Sequence, residues 1–213
     1  MNKYLVVKRA LDLIIAIILL VILAIPMILI AIVIKVYNDG PVIYKSKRIG
    51  KNMKPFNTYK FRTMITNRKE LESILTHEEM TTKVGKILRK TSLDELPQLF
   101  NIIKGEMSFI GPRPWIPEYY KWLTDEQKRR TCVTPGISGL AQVEGRNGIS
   151  IFKKIDYDIE YVDNMSLKLD VKIFLLSIVA VFRKTNAEIS EMGIKKEINQ
   201  LKEVQEQRGH VQV

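Results

Sequence analysis

The longest run of hydrophobic positions lies near the start of the chain, and the pattern changes sharply after it. Leu13 to Ile34 is a stretch of 22 residues without a charged side chain, which is long enough for a helix in a membrane. Turn-forming residues at 38–41 end this apolar region. The remaining chain mixes polar and apolar stretches and predicts a separate folded domain. We therefore expect an anchor at 1–37, a folded domain at 38–185 and a polar tail at 186–213.

The course of the apolar run through a membrane has two interpretations. One is a single spanning helix. The other is a re-entrant helix that breaks at Pro26 and returns to the same face, because proline removes a backbone donor and clashes with the preceding turn. Lys8 and Arg9 precede the run, and Lys45 and Lys47 follow it, so a spanning helix would place one basic cluster on the disfavoured side. The residues alone support the two interpretations equally.

Periodicity after residue 38 predicts an α+β domain that is mostly helical. Two β-rich runs at 42–48 and 56–64, joined by Gly50-Lys51-Asn52, predict a hairpin. The ten uncharged residues at 173–182 are too few to span a bilayer and predict a buried or interfacial helix. Further helical patterns occupy 67–90, 151–163 and a stretch that begins at Leu93. In the tail, Ile194, Ile198 and Leu201 form a short amphipathic repeat.

Composition limits the chemistry that the chain can perform. Its 213 residues include 34 Lys and Arg against 23 Asp and Glu, a net charge of +11. The positive charge indicates an anionic partner such as nucleic acid, acidic lipid or a phosphorylated substrate. A single cysteine excludes a disulfide framework within the chain and a multi-cysteine zinc site. With two histidines in polar stretches far apart, a catalytic triad is not expected, and carboxylates or basic residues must carry the chemistry.

Two adjacent acids, Asp94 and Glu95, stand out in the stretch that begins at Leu93. A helix here places Asp94, Gln98 and Asn101 on one side, because their spacings are four and three residues. The opposite side is an apolar stripe of Leu93, Leu96, Phe100 and Ile103.

Adjacent acids at a helix start commonly have only a structural role. They favour the helix dipole, and Ser92 with Glu95 fits a capping box. The surroundings also support a chemical role, since Arg89 and Lys90 lie just upstream and a helix start attracts anions. A phosphate, a divalent cation and a carboxylate could therefore converge here.

Three other basic residues are candidates for binding phosphate. Arg113 lies between two prolines, which restrict the backbone and present the guanidinium at little entropic cost. Arg146 lies between glycines that would let a ligand approach the backbone. Lys60 lies on a predicted strand, where it shares a face with Arg62. A surface turn or a solvated strand edge is the simpler interpretation of each.

Long motifs at these residues make the chain recognisable. They are Arg89–Asn101, with Ser-Leu-Asp-Glu-Leu-Pro-Gln at 92–98, then Met107–Pro114, ending in Gly-Pro-Arg-Pro, then Pro135–Val143 and Gly145-Arg146-Asn147. From about Lys8 to Arg183 the chain resembles the bacterial sugar transferases, the monotopic phosphoglycosyl transferases, in their minimal form.

The resemblance implies a reaction and roles for individual residues. A phosphosugar would pass from a UDP-sugar to a polyprenyl phosphate, such as undecaprenyl phosphate, with release of UMP. Asp94 matches the nucleophile that forms a covalent phosphosugar intermediate, and Glu95 matches the acid that helps to bind Mg²⁺. Arg113 matches an arginine implicated in substrate binding. The remaining matches are basic positions around the site, Lys60, Arg89 and Arg146.

The resemblance also implies a setting for the reaction. It implies a re-entrant helix broken near Pro26, a small catalytic domain with a hairpin and interfacial amphipathic helices, and location at the cytoplasmic face of the bacterial inner membrane. Membrane lipids are implied partners, with downstream glycosyltransferases or a second copy of the chain as further ones. Many relatives carry serine before the proline, whereas Ile25 stands here, and a hydroxyl that could bond freed backbone groups is missing.

Two other functions were weighed against the transferase. A membrane-tethered nucleic-acid-binding protein would interleave its basic residues with stacking aromatics on one face. Here several basic residues are isolated and held by proline or glycine, so nucleic acid is not an expected partner. A scaffold without catalysis would tolerate loss of the carboxylates.

Overall fold

Helices dominate the chain, with a hairpin and a small second sheet between them. The structure is a computed structural model and describes residues 3–37, 40–65, 76, 79–145, 149–182 and 191–211. The chain forms two compact units. The first comprises Met1–Ser46 with Asn57–Met107, and the second comprises Lys47–Phe56 with Ser108–Val213.

The elements confirm the predicted α+β fold, mostly helical. In chain order the helices and strands are α1 (Lys3–Tyr37), β1 (Ile43–Ile49), β2 (Pro55–Phe61), α2 (Lys83–Lys90), α3 (Gln98–Lys104), β3 (Ser108–Ile110), α4 (Asp125–Lys128), β4 (Gly136–Ser138), α5 (Leu140–Glu144), α6 (Ile151–Asp163), α7 (Leu167–Phe182) and α8 (Glu191–Val211). Short 3-10 turns occupy Lys51–Met53, Leu93–Glu95, Pro117–Lys121 and Arg129–Thr131.

The helix α1 is the element that the apolar run predicts. Its 35 residues include Pro26, and the helical backbone continues on both sides of this residue. Many of its aliphatic side chains are exposed, and those of Val21, Ile25 and Val36 are 71–74% exposed. Among the described helices, α1 is the one long and apolar enough to cross a membrane. The backbone at Pro26 is helical, so the chain has no non-helical break there. A change in the direction of the helix at Pro26 stays a prediction.

Two stretches of α1 pack against the rest of the first unit. Near the start, Arg9 donates from Nη1 to the carbonyl of Ile102 at 2.6 Å and from Nη2 to that of Ile103 at 2.9 Å. These bonds join the start of α1 to the last turn of α3, where the carbonyl of Ile102 also accepts from the amide of Gly105 at 2.9 Å. Nearer the other end, Met27 and Ile34 are buried. The apolar side chains around this second stretch are Val42, Ile43, Phe61, Val84, Leu88 and Leu96.

The predicted hairpin is present, whereas the helix predicted at 67–90 is shorter. Helix α2 begins after Thr82, whose Oγ1 accepts a bond from the amide of Gly85 at 2.9 Å and caps the helix. Before it, Met64 pairs with Thr81 in an extended bridge. Residues 67–75 and 77–78 of the predicted helix lie outside the described residues.

A parallel pair of short strands forms the sheet of the second unit. Strand β3 pairs with β4, with Ser108 opposite Gly136. A Cβ on Gly111 would lie 2.5 Å from the carbonyl oxygen of Thr134, and one on Gly136 would lie 2.2 Å from the amide nitrogen of Gly111. Only glycine allows backbones to approach this closely. After Gly139, strand β4 is followed by helix α5.

Two apolar clusters form the core of the second unit. One contains Tyr119, Ile155 and Leu201, and the other contains Tyr161 and Ile173. Helix α6, which occupies its predicted range, contributes to both clusters. The unit is therefore built around α6.

The helix predicted from the uncharged run at 173–182 is α7, and it begins six residues earlier. Ile173 is buried, but most of the aliphatic side chains in the helix are exposed. This pattern matches the interfacial interpretation rather than the buried one. The exposed residues are Leu167, Val171, Phe174, Leu175, Ile178 and Val179.

The predicted polar tail contains the 21-residue helix α8. Leu201 is buried, and Ile194 and Ile198 pack beside it, as the amphipathic repeat predicts. Glu197 accepts a bond from the hydroxyl of Tyr119 at 2.6 Å and another from Nζ of Lys154 at 2.5 Å. This helix is therefore docked on the core of the second unit.

Candidate active site

The acidic pair lies on a 3-10 turn ahead of α3, and not on a helix that begins at Leu93. Ser92 has a left-handed backbone with φ of 57°, and its side chain makes no capping bond. Pro97 occupies the N-cap position of α3. The predicted capping box between Ser92 and Glu95 is therefore wrong. Proline has no N–H to donate, so the regular helix begins only after Pro97.

The polar side of this segment faces the interior of the first unit. Asp94 is 3% exposed and Gln98 is 2% exposed, and Asn101 is fully buried. On the other side, Leu93 is 36% and Phe100 is 43% exposed. The polar side predicted from the spacing is buried, and part of the predicted apolar stripe is exposed.

Asn101 fixes α3 to strand β2. Its Nδ2 donates to the carbonyl of Asn57 and to the carboxylate of Glu106, both at 2.7 Å, and its Oδ1 accepts from the amide of Tyr59 at 3.0 Å. A fully buried amide with these partners resists displacement, because breaking any of these hydrogen bonds would leave a buried polar group unsatisfied. The acidic turn is thereby held at a fixed distance from the next residue of β2, Lys60.

Lys60 and Glu95 form an ion pair. Nζ of Lys60 donates to Oε1 of Glu95 at 2.6 Å, and each side chain is 18% exposed. The pair is neither sealed nor fully solvated, so an anionic ligand can approach its ammonium group. Asp94 is the adjacent residue in the chain, so two predicted site acids and one predicted site base lie together.

Arg89 lies on α2, which packs very closely against the segment after β2. Its Nε donates to Oγ1 of Thr63 at 2.9 Å. A Cβ on Gly85 would lie 2.1 Å from the carbonyl oxygen of Thr63, so only glycine permits this approach. Thr63 also accepts at its carbonyl from the amide of Thr82 at 3.0 Å. These contacts fix the last turn of α2 and the root of the Arg89 side chain.

Arg113 belongs to the second unit, in the turn between Pro112 and Pro114. Its Nη1 lies 3.4 Å from the carbonyl of Ile137, a long hydrogen bond. Its own carbonyl accepts a bond from Nη2 of Arg130 at 2.8 Å. Arg130 thus holds the backbone that carries the Arg113 side chain.

Arg130 is a buried charge with a full set of partners. Its Nε and Nη2 donate to Oδ2 of Asp158 at 2.9 and 2.5 Å, and Nη1 donates to the hydroxyl of Tyr120 at 2.8 Å. Its guanidinium carbon lies 3.6 Å from the ring centre of Trp115. Burial raises the pKa of the Asp158 carboxyl, and the ion pair with Arg130 opposes this rise. Burial also raises the pKa of Tyr120, so its hydroxyl stays protonated.

The predicted site residues divide between the two units. Asp94, Glu95, Lys60 and Arg89 are in the first, and Arg113 is in the second. The last of the predicted residues, Arg146, lies outside the described residues.

Sequence reasoning missed three residues around the predicted site residues: Thr63, which contacts Arg89, Arg130, which contacts Arg113, and Asp158, which pairs with Arg130. Asp158 left a signal, because it lies seven residues after Ile151 on the buried side of α6. A charge at a buried helix position requires a partner. Nothing in the local sequence identifies Thr63.

The carboxylates of the first unit can supply some, but not all, of the ligands of a magnesium ion. Mg²⁺ is usually held by one or two carboxylates together with substrate phosphates, and Asp94 and Glu95 supply that number. Among the residues that the structure describes, no group of three or more His, Cys, Asp or Glu could hold an ion. The donor set therefore suits an ion whose other ligands come from a diphosphate, and not an ion enclosed by protein.

Comparison with known proteins identifies the family. The model of the family described as bacterial sugar transferase matches residues 3–184. An uncharacterized sugar transferase of Bacillus subtilis, EpsL, is 44% identical over 81% of this chain and 86% of its own length. The galactosyl transferase CpsE of Streptococcus agalactiae is 40% identical over 87% of this chain and 44% of its own.

The UDP-glucose:undecaprenyl-phosphate glucose-1-phosphate transferase of Escherichia coli is 37% identical over 82% of this chain and 40% of its own length. The chain therefore spans less than half the length of the last two relatives, but most of EpsL. These matches confirm the family that the motifs predict: the chain belongs to the bacterial sugar transferase family.

Proposed function

We propose that the chain transfers a phosphosugar from a UDP-sugar to a polyprenyl phosphate such as undecaprenyl phosphate, and so initiates synthesis of a membrane glycoconjugate. The names of the relatives from Escherichia coli and Streptococcus agalactiae support this reaction class. The observation that carries the proposal is the buried side chain of Asp94, whose neighbour in the chain, Glu95, forms the ion pair with Lys60. These groups belong to the same compact unit as the apolar helix α1. A nucleophile, a phosphate-binding cation and a membrane anchor are what this reaction requires.

The transfer proceeds in two displacement steps at one phosphorus atom. First, a carboxylate oxygen of Asp94 bonds to the phosphorus that carries the sugar. The bond from this phosphorus to the bridging oxygen breaks, and UMP leaves with the electron pair. A phosphate oxygen of the lipid then attacks the same phosphorus and releases the carboxylate of Asp94. Splitting the transfer in this way lets UMP leave before the second phosphate enters.

The negative charge of the donor must be offset before an anionic carboxylate can attack it. Lys60 supplies one cation next to the acids, and Arg89 supplies another from the end of α2. Glu95 would hold magnesium, which when bound withdraws charge from the phosphate oxygens. Arg113 can bind a phosphate with two parallel bonds, as guanidinium groups do. Arg146 has the same role by resemblance.

The packing of α1 supports a monotopic arrangement at the cytoplasmic face of the bacterial inner membrane. Arg9 bonds to α3, and Ile34 packs near Phe61 and Leu88, all within one compact unit. The 25 residues from Arg9 to Ile34 would extend about 38 Å in a straight helix, more than the roughly 30 Å of a hydrocarbon core. A helix that crossed the bilayer would put Arg9 and Ile34 on opposite sides of it. The folded part of the first unit could then not contact both positions. A helix that enters and returns, or lies along one face, avoids this conflict.

Cysteine labelling tests the topology. In a Cys132→Ser background, Lys3→Cys and Lys45→Cys should each react with an impermeant maleimide only from the cytoplasmic side. Cys132 of the unchanged chain is exposed and provides the cytoplasmic reference. Labelling of the two introduced cysteines from opposite sides would establish a single span.

The reaction itself is tested by measuring UMP release. The purified chain, undecaprenyl phosphate and magnesium are incubated with UDP-glucose, UDP-galactose and their N-acetylated counterparts in parallel. We expect UMP and a lipid-linked sugar diphosphate with at least one donor. No UMP from any donor, with a chain shown to be folded and membrane-bound, would contradict the proposed function.

A further inference from the structure

We propose that Arg130 is a positioning residue, which sets the backbone of Arg113 so that its guanidinium meets the diphosphate of the donor. The proposal rests on the proposed function, in which Arg113 binds that diphosphate. Arg130 would not touch the substrate. It acts through its hydrogen bond to the carbonyl of Arg113.

The turn that carries Arg113 has few ways to hold itself in place. Pro112 and Pro114 have no N–H groups, so neither can donate a backbone hydrogen bond. The carbonyl of Pro112 accepts from the amide of Gly136 at 3.1 Å. The next carbonyl, that of Arg113, accepts from Arg130. Successive carbonyls are thus held from two sides, which fixes the peptide planes that aim the Arg113 side chain.

The cost of burying Arg130 suggests that stability is not the reason for its presence. Its side chain is 1% exposed and that of Asp158 is 2% exposed. A buried ion pair loses so much hydration that apolar residues of similar volume often give equal or greater stability. An apolar side chain could fill this space between Trp115 and Tyr120, but it could not donate to the carbonyl of Arg113. The guanidinium also donates to the hydroxyl of Tyr120, but its bond to the carbonyl of Arg113 is the contact that acts on the turn.

A neighbouring ion pair provides a matched control. Arg129 precedes Arg130, and it too joins the 3-10 turn at 129–131 to α6, through Asp163. Both side chains of that pair are partly exposed, 39% for Arg129 and 47% for Asp163. Arg129 donates hydrogen bonds to the carboxylates of Glu126 and Asp163, and not to the turn of Arg113. Replacing this pair alters the same junction without touching the turn of Arg113.

The test replaces each pair with apolar residues and measures the donor kinetics. Arg130→Met with Asp158→Leu removes the bond to Arg113 and avoids a buried unpaired charge. Arg129→Met with Asp163→Leu is the control. We expect the first pair to lower kcat/KM for the UDP-sugar about tenfold, through a higher KM, as for the loss of one oriented bidentate contact. The melting temperature should stay within a few degrees, and the control should keep kcat/KM within twofold.

A cycle with Arg113→Ala separates positioning from a general structural role. If Arg130 acts through Arg113, the Arg130/Asp158 replacement should change donor kcat/KM less than twofold when Arg113 is already alanine. An equal loss in both backgrounds would overturn the proposal, because the pair would then act independently of Arg113. Unchanged kinetics of the Arg130/Asp158 replacement in the chain that keeps Arg113, with the fold intact, would overturn it too. If the apolar pair does not fold, Arg130→Lys, which keeps the charge but loses the planar fork, takes its place in the same cycle.

Failure of the proposed function gives a different result. If Arg113→Ala itself turns over like the unchanged chain, the role of Arg113 falls, and the positioning role of Arg130 falls with it. If no donor in the panel yields UMP, the transferase proposal fails before any variant is compared. The positioning role alone is rejected when Arg113→Ala loses activity and either the effect of the Arg130/Asp158 replacement is additive with it or that replacement has no effect in the chain that keeps Arg113.

Discussion

The two compact units both bury apolar side chains and both expose apolar surface, but on different kinds of segment. In the first, Asp94 is buried while Phe100 of the same segment is 43% exposed. In the second, Leu201 is 1% exposed in an apolar core, while Phe174 and Leu175 of α7 are 51% and 57% exposed. Exposed apolar faces of this kind suit a lipid surface. In the first unit the exposed face belongs to the segment that carries the predicted nucleophile, whereas in the second it belongs to a helix without a predicted site residue.

The charges of the two units are held in correspondingly different ways. Lys60 and Glu95 are each 18% exposed, so a ligand can compete for them. Arg130 and Asp158 are sealed in the core. Substitutions of acids in the first unit should therefore abolish turnover with little loss of stability, whereas substitutions of apolar core residues in the second, such as Leu201, should mainly change stability.

The largest expected effect is that of Asp94→Asn. It removes the attacking oxygen but keeps the shape, so turnover should fall by at least about a thousandfold while the melting temperature stays near that of the unchanged chain. The measurement is UMP release, with circular dichroism for the fold. Asp125→Asn, at a carboxylate whose side chain is 100% exposed, is the matched control and should be fully active. An active Asp94→Asn variant would remove Asp94 from the chemistry.

Glu95→Gln should have a smaller effect that depends on magnesium. Loss of the carboxylate weakens metal binding, so raised magnesium should restore part of the activity. The same titration should leave Asp94→Asn inactive. If magnesium restores neither variant, or both equally, the different roles given to the two acids are wrong.

Arg113→Lys should lower turnover at subsaturating donor on the order of tenfold, because lysine keeps the charge but not the planar fork. The protein should remain folded and membrane-bound. Arg129→Lys, at an exposed guanidinium in the same unit, serves as the control. Near-normal turnover of Arg113→Lys would separate Arg113 from donor binding.

The smallest effect on activity should come from apolar truncations, which compare the two units directly. Leu201→Ala creates a cavity in the core of the second unit and should lower the free energy of unfolding by about 2–5 kcal/mol, or the melting temperature by at least about 4 °C. Phe100→Ala in the first unit removes a half-exposed side chain and should cost about 1 kcal/mol or less. Thermal melting in detergent measures both. Equal losses would show that the side chain of Phe100 is part of a packed core.

The parts of the fold that could be predicted from the sequence have local signals. The apolar run of α1 and the two β-rich runs of the hairpin are examples. The start of α3 was missed because the periodicity from Leu93 to Asn101 was taken across Pro97, which has no N–H to donate. The capping residue Thr82 was also missed, so the helix predicted at 67–90 was too long. Periodicity also defines two sides of a helix without saying which one faces inward when part of the solvent is lipid.

The candidate site could be predicted only in part. Asp94, Glu95 and Arg113 follow from motifs in the chain, since each lies in a short conspicuous segment. The bond between Arg130 and Asp158 joins residues 28 positions apart, and such a pairing is decided by tertiary structure. Asp158 alone carried a local signal, as a charge on the buried side of α6.

Intact-protein mass spectrometry can detect the covalent phosphosugar on Asp94 that the two-step transfer requires. The chain is incubated with magnesium and the UDP-sugar that the panel identifies, without lipid acceptor. We expect a mass increase of one phosphosugar located on Asp94, with UMP released in an amount that approaches one per active site, because the first displacement does not need the acceptor. Absence of both the adduct and acceptor-independent UMP, in an enzyme that turns over once undecaprenyl phosphate is added, would contradict the covalent mechanism.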